Sequence, residues 1–571
     1  MKRLLAVLAA GVPLAAALCL PVSASAATAP AATAPAATAP PVTASAATAS
    51  PVSTSSAASV PAAGAFMCAD ISVKAPAGTT VESVTAQRHE AGTVHVPAVT
   101  PLPAVDVPDV PAHCAVTVTL THPGVDDHAK VQVWLPEQGW NGRFQAVGGS
   151  AFAAGDYGAA LAGAVKAGYA TATTDAGVST YIDTAWALDD AGKVDTALLK
   201  NFADRSVHEM TLVAKQVISA VYGKPASYSY WNGCSTGGRQ GYMEAQRHPG
   251  DYDGILATAP GINWDEFEVA TLWPQVVMNQ EKTYPAACEF ALFAQAAVKA
   301  CDPLDGARDG LIGDPAKCRF DPRELIGRTV ECDGEQETIT AADAAVVRKI
   351  WDGPRTPSGR KLWSGIPVGA AFDLAATKPG ADGQRVGQPF PVPAAWVATW
   401  LKRQPSFDVS TITYAEFAKL FAQSQAEYDK VIGTDDPDLS AFRRSGGKLL
   451  TWHGYADQLI PTQGTVDYRQ RVERAMGGAH RVDDFYRLFL APGVDHCGNT
   501  GSTGPVPTDA LGALTAWVEQ GKAPRTLSAA VKDSSGKTVT RELCLYPSVS
   551  RYTGHGDVAD AASYRCVQPR H

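Results

Sequence analysis

Two cysteines beside potentially reactive residues constrain this 571-residue chain more than any other feature. Cys234 precedes Ser235 in Gly233-Cys234-Ser235-Thr236-Gly237, and Cys497 follows His496 in Pro492-Gly493-Val494-Asp495-His496-Cys497. A disulfide holds its two Cα atoms within roughly 4.4–6.8 Å. If Cys234 and Cys497 are bridged, two distant segments meet, and a nucleophile is placed beside its base.

The surroundings of Ser235 suit that role. Residues 208–222 have helical apolar spacing through Met210, Leu212, Val213, Val217 and Ile218. Residues 226–231 read as a short strand and residues 239–247 as a helix. A Gly-x-Ser-x-Gly string alone is common in glycine-rich loops, but between strand and helix it is the context of a nucleophile elbow. Its sharp turn leaves room only for small neighbours. The base and the orienting acid then follow in the order Ser, Asp, His. Residues 448–452 form a buried-strand run that opens into His453-Gly454-Tyr455-Ala456-Asp457. This places Asp457 past the carboxyl end of a strand, where catalytic side chains of open α/β sheets gather. The next strand, 485–490, leads to His496. Asp457 would orient the imidazole, His496 would take the Ser235 proton, and the serine would attack a carbonyl carbon. Asp495 is a poorer partner because a neighbour in an extended loop points away from the ring. His453 suits strand-end packing, and His208 a structural hydrogen bond. For the oxyanion, the backbone N–H of Thr236 is the first expected donor. The glycine turn after residues 144–147 supplies the second, with Gly149 and Ser150 as the candidates.

Residues 1–26 read as a secretory signal peptide: Lys2 and Arg3, an apolar run from Leu4 to Leu20, and Ala24-Ser25-Ala26 for cleavage. Removing it takes Cys19 and leaves an even set of cysteines, as in an exported, oxidised protein. No later stretch is long and apolar enough to span a bilayer, so no membrane association is expected after cleavage. Residues 27–65 are almost wholly Ala, Thr, Pro, Ser and Val, a linker with too little to bury, read as a passive spacer. Folding should begin near Phe66. With 48 basic against 57 acidic residues and no basic run, nucleic acid is excluded as a partner.

These residues resemble the tannase and feruloyl esterase family over most of the chain after Cys68. The resemblance rests on Trp140-Asn141-Gly142-Arg143-Phe144, on Gly233 through Gly241, on Asp251-Tyr252-Asp253-Gly254-Ile255, and on Asp457 with the His496-Cys497 pair. It implies an α/β-hydrolase fold with a large lid inserted after the nucleophile elbow: core residues 66–261, lid 262–446, and core again from 447 to 571. Many relatives carry a run of glycines where this chain has Gly148-Gly149-Ser150-Ala151. The coupling of Cys-Ser to His-Cys is a mark of that family, so Cys234–Cys497 is expected at the site. Cys301–Cys318, Cys544–Cys566 and Cys68–Cys114 are the other expected bridges, with Cys288–Cys332 left by elimination.

Between Cys301 and Cys318, Asp302, Asp305 and Asp309 look like the family's calcium site, with the carbonyls of Ala307 and Leu311 completing the shell. A hard cation wants six to eight oxygen ligands. The rival reading is a solvated Asp-Gly turn. No organic cofactor is implied. The lid is rich in aromatics, some of which should form its own core and some the substrate pocket. Trp396 and Trp400, at i, i+4 spacing, are the candidates for substrate contact. Lys402 and Arg403 are more plausible as surface charges than as ligands of a substrate carboxylate. The resemblance implies a secreted serine carboxylic ester hydrolase for small aromatic esters, with feruloyl (hydroxycinnamoyl) esters first. Gallate esters or a terephthalate monoester are the alternatives. A non-catalytic secreted binding protein is the reading from another class, and a peptidase a third.

Overall fold

The computed structural model describes residues 66–569, apart from Met67 and residues 100–101, 157, 179–180, 333, 382 and 499–500. The expected signal peptide, Cys19 and the 27–65 linker lie outside the described residues.

A nine-stranded sheet organises the chain. In chain order its strands are β1 (Thr80–His89), β2 (His113–Thr121), β3 (Ala129–Pro136), β4 (Arg143–Val147) and β5 (Ala170–Thr174). There follow β6 (Tyr228–Cys234), β7 (Gly254–Thr258), β8 (Lys448–Gly454) and β9 (Tyr486–Ala491). In space they lie β1-β2-β3-β5-β4-β6-β7-β8-β9. The strands from β5 to β9 run parallel, and β1 to β3 extend the sheet antiparallel. Sequence and burial follow this division. In β2, Cys114, Val116, Val118 and Leu120 alternate inward at period two, whereas every residue of β7 is buried, as in a parallel strand covered on both faces. Helix α1 (Ser206–Tyr222) packs on β5 and β3, and α2 (Thr236–Arg247) on β6 and β7.

Residues 262–446 enter between β7 and β8, which are neighbours in the sheet. The insert begins with α3 (Trp264–Thr271) and continues through helices Trp273–Glu281, Ala287–Cys301, Ala341–Asp352 and Tyr414–Ile432. Its apolar core is continuous with Phe152, in the turn after β4, and Phe202, just before α1, so the insert packs directly on the sheet domain. Five disulfides pair Cys68–Cys114, Cys234–Cys497, Cys288–Cys332, Cys301–Cys318 and Cys544–Cys566. Among the described residues no helix is long and apolar enough to cross a membrane.

Trp396 and Trp400 depart from expectation. Both are 0% exposed, within a wide turn of helix at Trp396–Leu401. Their rings stack on each other at 5.0 Å, and Trp400 stacks on Phe152 at 5.1 Å. The Trp396 indole N–H donates to Ser424 Oγ at 2.9 Å. The spacing correctly put both rings on one face, but that face is turned to the insert's core and away from the cavity. Lys402 pairs with Glu416 and Arg403 with Glu427, as surface charges do. Trp400→Ala should therefore cost about 3–5 kcal/mol of stability and lower turnover of methyl ferulate, methyl gallate and a small acetate ester alike. Thermal unfolding together with the three rates checks this.

Candidate active site

Ser235 caps β6 with φ 62° and ψ −121°, the strained geometry of a strand-to-helix elbow. Three backbone bonds hold it there: its N–H donates to the Thr258 carbonyl at 3.1 Å, and its own carbonyl accepts from Arg239 at 3.0 Å and from Gly261 at 3.2 Å. The turn fits because a Cβ on Gly148 would lie 2.5 Å from Gly237 Cα and 2.8 Å from the Trp231 ring. Glycines at 148 and 237 are what let the two backbones approach.

The Cys234–Cys497 bridge spans 6.0 Å between Cα atoms and ties the end of β6 to the loop after β9. His496 Nδ1 lies 2.8 Å from Asp457 Oδ2, and His496 lines the same cavity as Ser235. Asp457 is fully buried. Its Oδ1 accepts from the N–H groups of Leu459 and Ile460 at 3.0 and 2.8 Å. Burial opposes its ionisation, but His496 and His453 outweigh that and hold the carboxyl well below the ordinary range. The carboxylate then keeps the proton of His496 on Nδ1 and leaves Nε2 as the ring nitrogen able to accept one. Asp495 binds Ser502 instead.

His453 was expected only to pack at a strand end. It is buried, but its Nε2 lies 2.9 Å from Asp457 Oδ2 and 3.1 Å from the Ile460 carbonyl. Both partners only accept, so Nε2 carries the proton and Nδ1 accepts from Thr465 Oγ1 at 2.9 Å. Asp457 is thus held between two imidazoles. The i, i+4 spacing of His453 and Asp457 across the strand end was the available signal. His208 does take a structural bond, to Asp251 at 2.6 Å.

The N–H groups of Gly149 and Ser150, the candidates for the second oxyanion donor, are both engaged. Gly149 N–H donates to Gln240 Oε1 at 3.0 Å, and Ser150 N–H donates to the Ala153 carbonyl at 3.1 Å. Both are spent on holding the turn. The N–H groups of Gly148, Phe152 and Ala153 are also taken, by Asn232, Tyr181 and Ser150 carbonyls. Among the described residues, Ala151 alone in this turn has an N–H without an acceptor, and Ala151 lines the cavity. Thr236 lines it too and opens α2, where the first N–H groups of a helix have no partner within it.

The rest of the cavity is largely apolar. Trp264, Phe267, Glu268 and Thr271 of α3 form one wall, and Leu374, Phe390 and Val392 face it from elsewhere in the insert. Among the described residues lining it, none is Lys or Arg. Glu268 is 3% exposed, and burial alone holds its carboxyl well above the usual carboxylate range.

The loop closed by Cys301 and Cys318 carries three aspartates with largely buried side chains. Asp302 Oδ1 accepts from Asp309 and Gly310 N–H groups at 2.9 and 3.1 Å, and Asp305 Oδ1 from Ala307 N–H at 2.9 Å. Burial, with the neighbouring aspartates, pushes Asp305 up to about 6. Asp309 also pairs with Arg541 and accepts from the Tyr564 hydroxyl at 2.9 Å. An oxygen-only donor set of this kind fits calcium. The three carboxylates are too spread to enclose an ion alone, so the carbonyls of Ala307 and Leu311 would be needed as well. A tighter trio, His208, His248 and Asp251, occurs outside the site. Its two imidazoles are stacked with centroids 3.9 Å apart and planes 10° from parallel. A metal ion lies in the plane of each imidazole that binds it, and two stacked planes cannot share one.

Residues 114–567 match the model of the family described as tannase and feruloyl esterase. A probable feruloyl esterase of Arthroderma benhamiae is 50% identical over 460 residues, covering 80% of this chain and 86% of that protein. Feruloyl esterase B of Aspergillus niger is 32% identical over 480 residues, covering 80% and 86%. Among solved structures, a tannin acyl hydrolase from Aspergillus niger superposes with a TM-score of 0.78 at 27% identity, covering 87% of this chain and 93% of that one. The chain belongs to the tannase and feruloyl esterase family and is a carboxylic ester hydrolase.

Proposed function

We propose that the chain is an exported esterase that cleaves hydroxycinnamate esters of the feruloyl type through an acyl-enzyme on Ser235. The observation that carries this is the convergence of Ser235 and Asp457-bound His496 on one apolar, aromatic-walled cavity. His496 Nε2 takes the Ser235 proton as Oγ attacks the ester carbonyl. The N–H groups of Thr236 and Ala151 receive the developing oxyanion. The protonated imidazole then gives its proton to the departing alcohol, and water, deprotonated by the same nitrogen, releases the acid. Five disulfides support export, because such bridges persist in oxidising compartments.

The lack of Lys or Arg among the described lining residues favours an uncharged acyl group. A terephthalate monoester would bring a second carboxylate with no Lys or Arg among the described lining residues to pair it, and a buried unpaired charge is costly. Gallate esters remain the closer alternative. A non-catalytic binding protein would have no use for Asp457 poised between two histidines.

A calcium ion held by Asp302, Asp305 and Asp309 with the carbonyls of Ala307 and Leu311 would act structurally, by neutralising largely buried carboxylates. Asp309 joins that loop to Arg541 near the carboxyl terminus. The Leu311 side chain also occupies the space that a Cβ on Gly493, in the loop that carries His496, would need. The ion would therefore brace the insert against the sheet domain.

Two outcomes are expected. Ser235→Ala should lower turnover of methyl ferulate by about 10⁴-fold or more with little change in melting temperature, and a near-normal rate would end the serine mechanism. Chelation should lower the melting temperature, and added calcium should restore it by linkage. An unchanged melting temperature in chelator would remove calcium from the account.

A further inference from the structure

We propose that Glu268 recognises a ring hydroxyl on the aromatic acyl group, as the polar end of an otherwise apolar acyl pocket. The inference rests on the esterase reading and deepens it. On α3, Trp264, Phe267, Glu268 and Thr271 fall at i, i+3, i+4 and i+7, a spacing that puts all four on one helical face, and all four line the cavity. The face runs outward from the nucleophile. Gly261, just before α3, donates to the Ser235 carbonyl at 3.2 Å, and a Cβ there would meet the Phe267 ring at 2.9 Å. Glu268 lies one turn beyond Trp264, about 6 Å along the helix axis. An acyl carbonyl at Ser235 would lay its ring against Trp264 and Phe267 and carry ring substituents toward Glu268.

The carboxyl is buried without compensation. Glu268 is 3% exposed, and among the described residues no protein group donates a hydrogen bond to its side chain. A buried polar group left unpartnered is destabilising, which makes it a candidate for meeting a ligand. Among the described lining residues no cation neutralises it, and burial shifts its carboxyl well above the usual carboxylate range, toward the protonated form. A protonated carboxyl offers one donor and one acceptor, and so does a phenolic hydroxyl. The two can bond to each other without leaving a buried charge. An acyl ring without that hydroxyl would leave Glu268 unsatisfied, and sites built this way reject the deficient analogue.

Methyl 4-hydroxycinnamate and methyl cinnamate differ only by the hydroxyl in question. Wild-type enzyme should prefer the hydroxylated ester in kcat/KM by roughly 10–100-fold. Glu268→Leu should erase most of that preference, lowering turnover of methyl 4-hydroxycinnamate far more than that of methyl cinnamate or a small acetate ester. Glu268→Gln, which keeps a donor and an acceptor, should retain part of it. Equal wild-type turnover of the two cinnamates would overturn the proposal without any variant. So would a Glu268→Leu enzyme that keeps the preference, or one that loses all three substrates in parallel while Glu268→Gln is normal, because Glu268 would then only maintain the wall. Failure of the wild type on every aromatic ester, with acetate cleaved, would instead sink the substrate class itself.

Discussion

The Cys234–Cys497 disulfide is the constraint on which the catalytic geometry depends. Ser235 sits on a turn of positive φ after β6, and His496 sits on a loop after β9, at the edge of the sheet. Strands β7 and β8 lie between them, together with the whole 262–446 insertion in sequence. Hydrogen bonding along the sheet fixes strands well but leaves terminal loops freer. The bridge removes that freedom at the candidate site, because each bridged cysteine is covalently adjacent to a member of the proposed Ser235–His496 pair. Cys497 itself adopts φ 63°, so the histidine loop, like the serine elbow, is held in a conformation that few non-glycine residues take.

Orientation within that frame comes from Asp457. Its Oδ1 is saturated by two backbone N–H groups and its Oδ2 by two imidazoles, so the carboxylate has little freedom to rotate. The second imidazole, His453, brings no apparent chemistry of its own. It anchors the acid to β8 and, through Thr465, to the helix that follows. The insert then supplies what the triad cannot. In the proposed mechanism the reacting groups meet only the ester carbonyl common to all substrates, and α3 with the opposite wall would meet the acyl ring.

Local patterns made much of this visible in the sequence. The strand, glycine elbow and helix around Ser235 are contiguous, and Asp457 and His496 each follow an apolar strand run. Cysteine adjacency linked the two halves. What stayed hidden depended on long-range partners. Gly149 looked like an oxyanion donor because glycines permit close approach, but its N–H is claimed by Gln240, far along the chain on α2. Trp396 and Trp400 share a face, as their spacing implied, yet spacing cannot tell which way a face points. Glu268 was passed over because an acidic residue on a helix normally marks the solvated side. Only the packing of α3 under the rest of the insert turns it inward.

The most direct measurement is kinetic, on the Cys234→Ala, Cys497→Ala double variant, at a temperature where circular dichroism shows it folded. If the bridge holds Ser235 and His496 in register, kcat for methyl ferulate should fall by about 100-fold or more, the cost of a misplacement near 1 Å, with KM little changed. A folded double variant with wild-type kcat would contradict the account, because the strands alone would then suffice to place nucleophile and base.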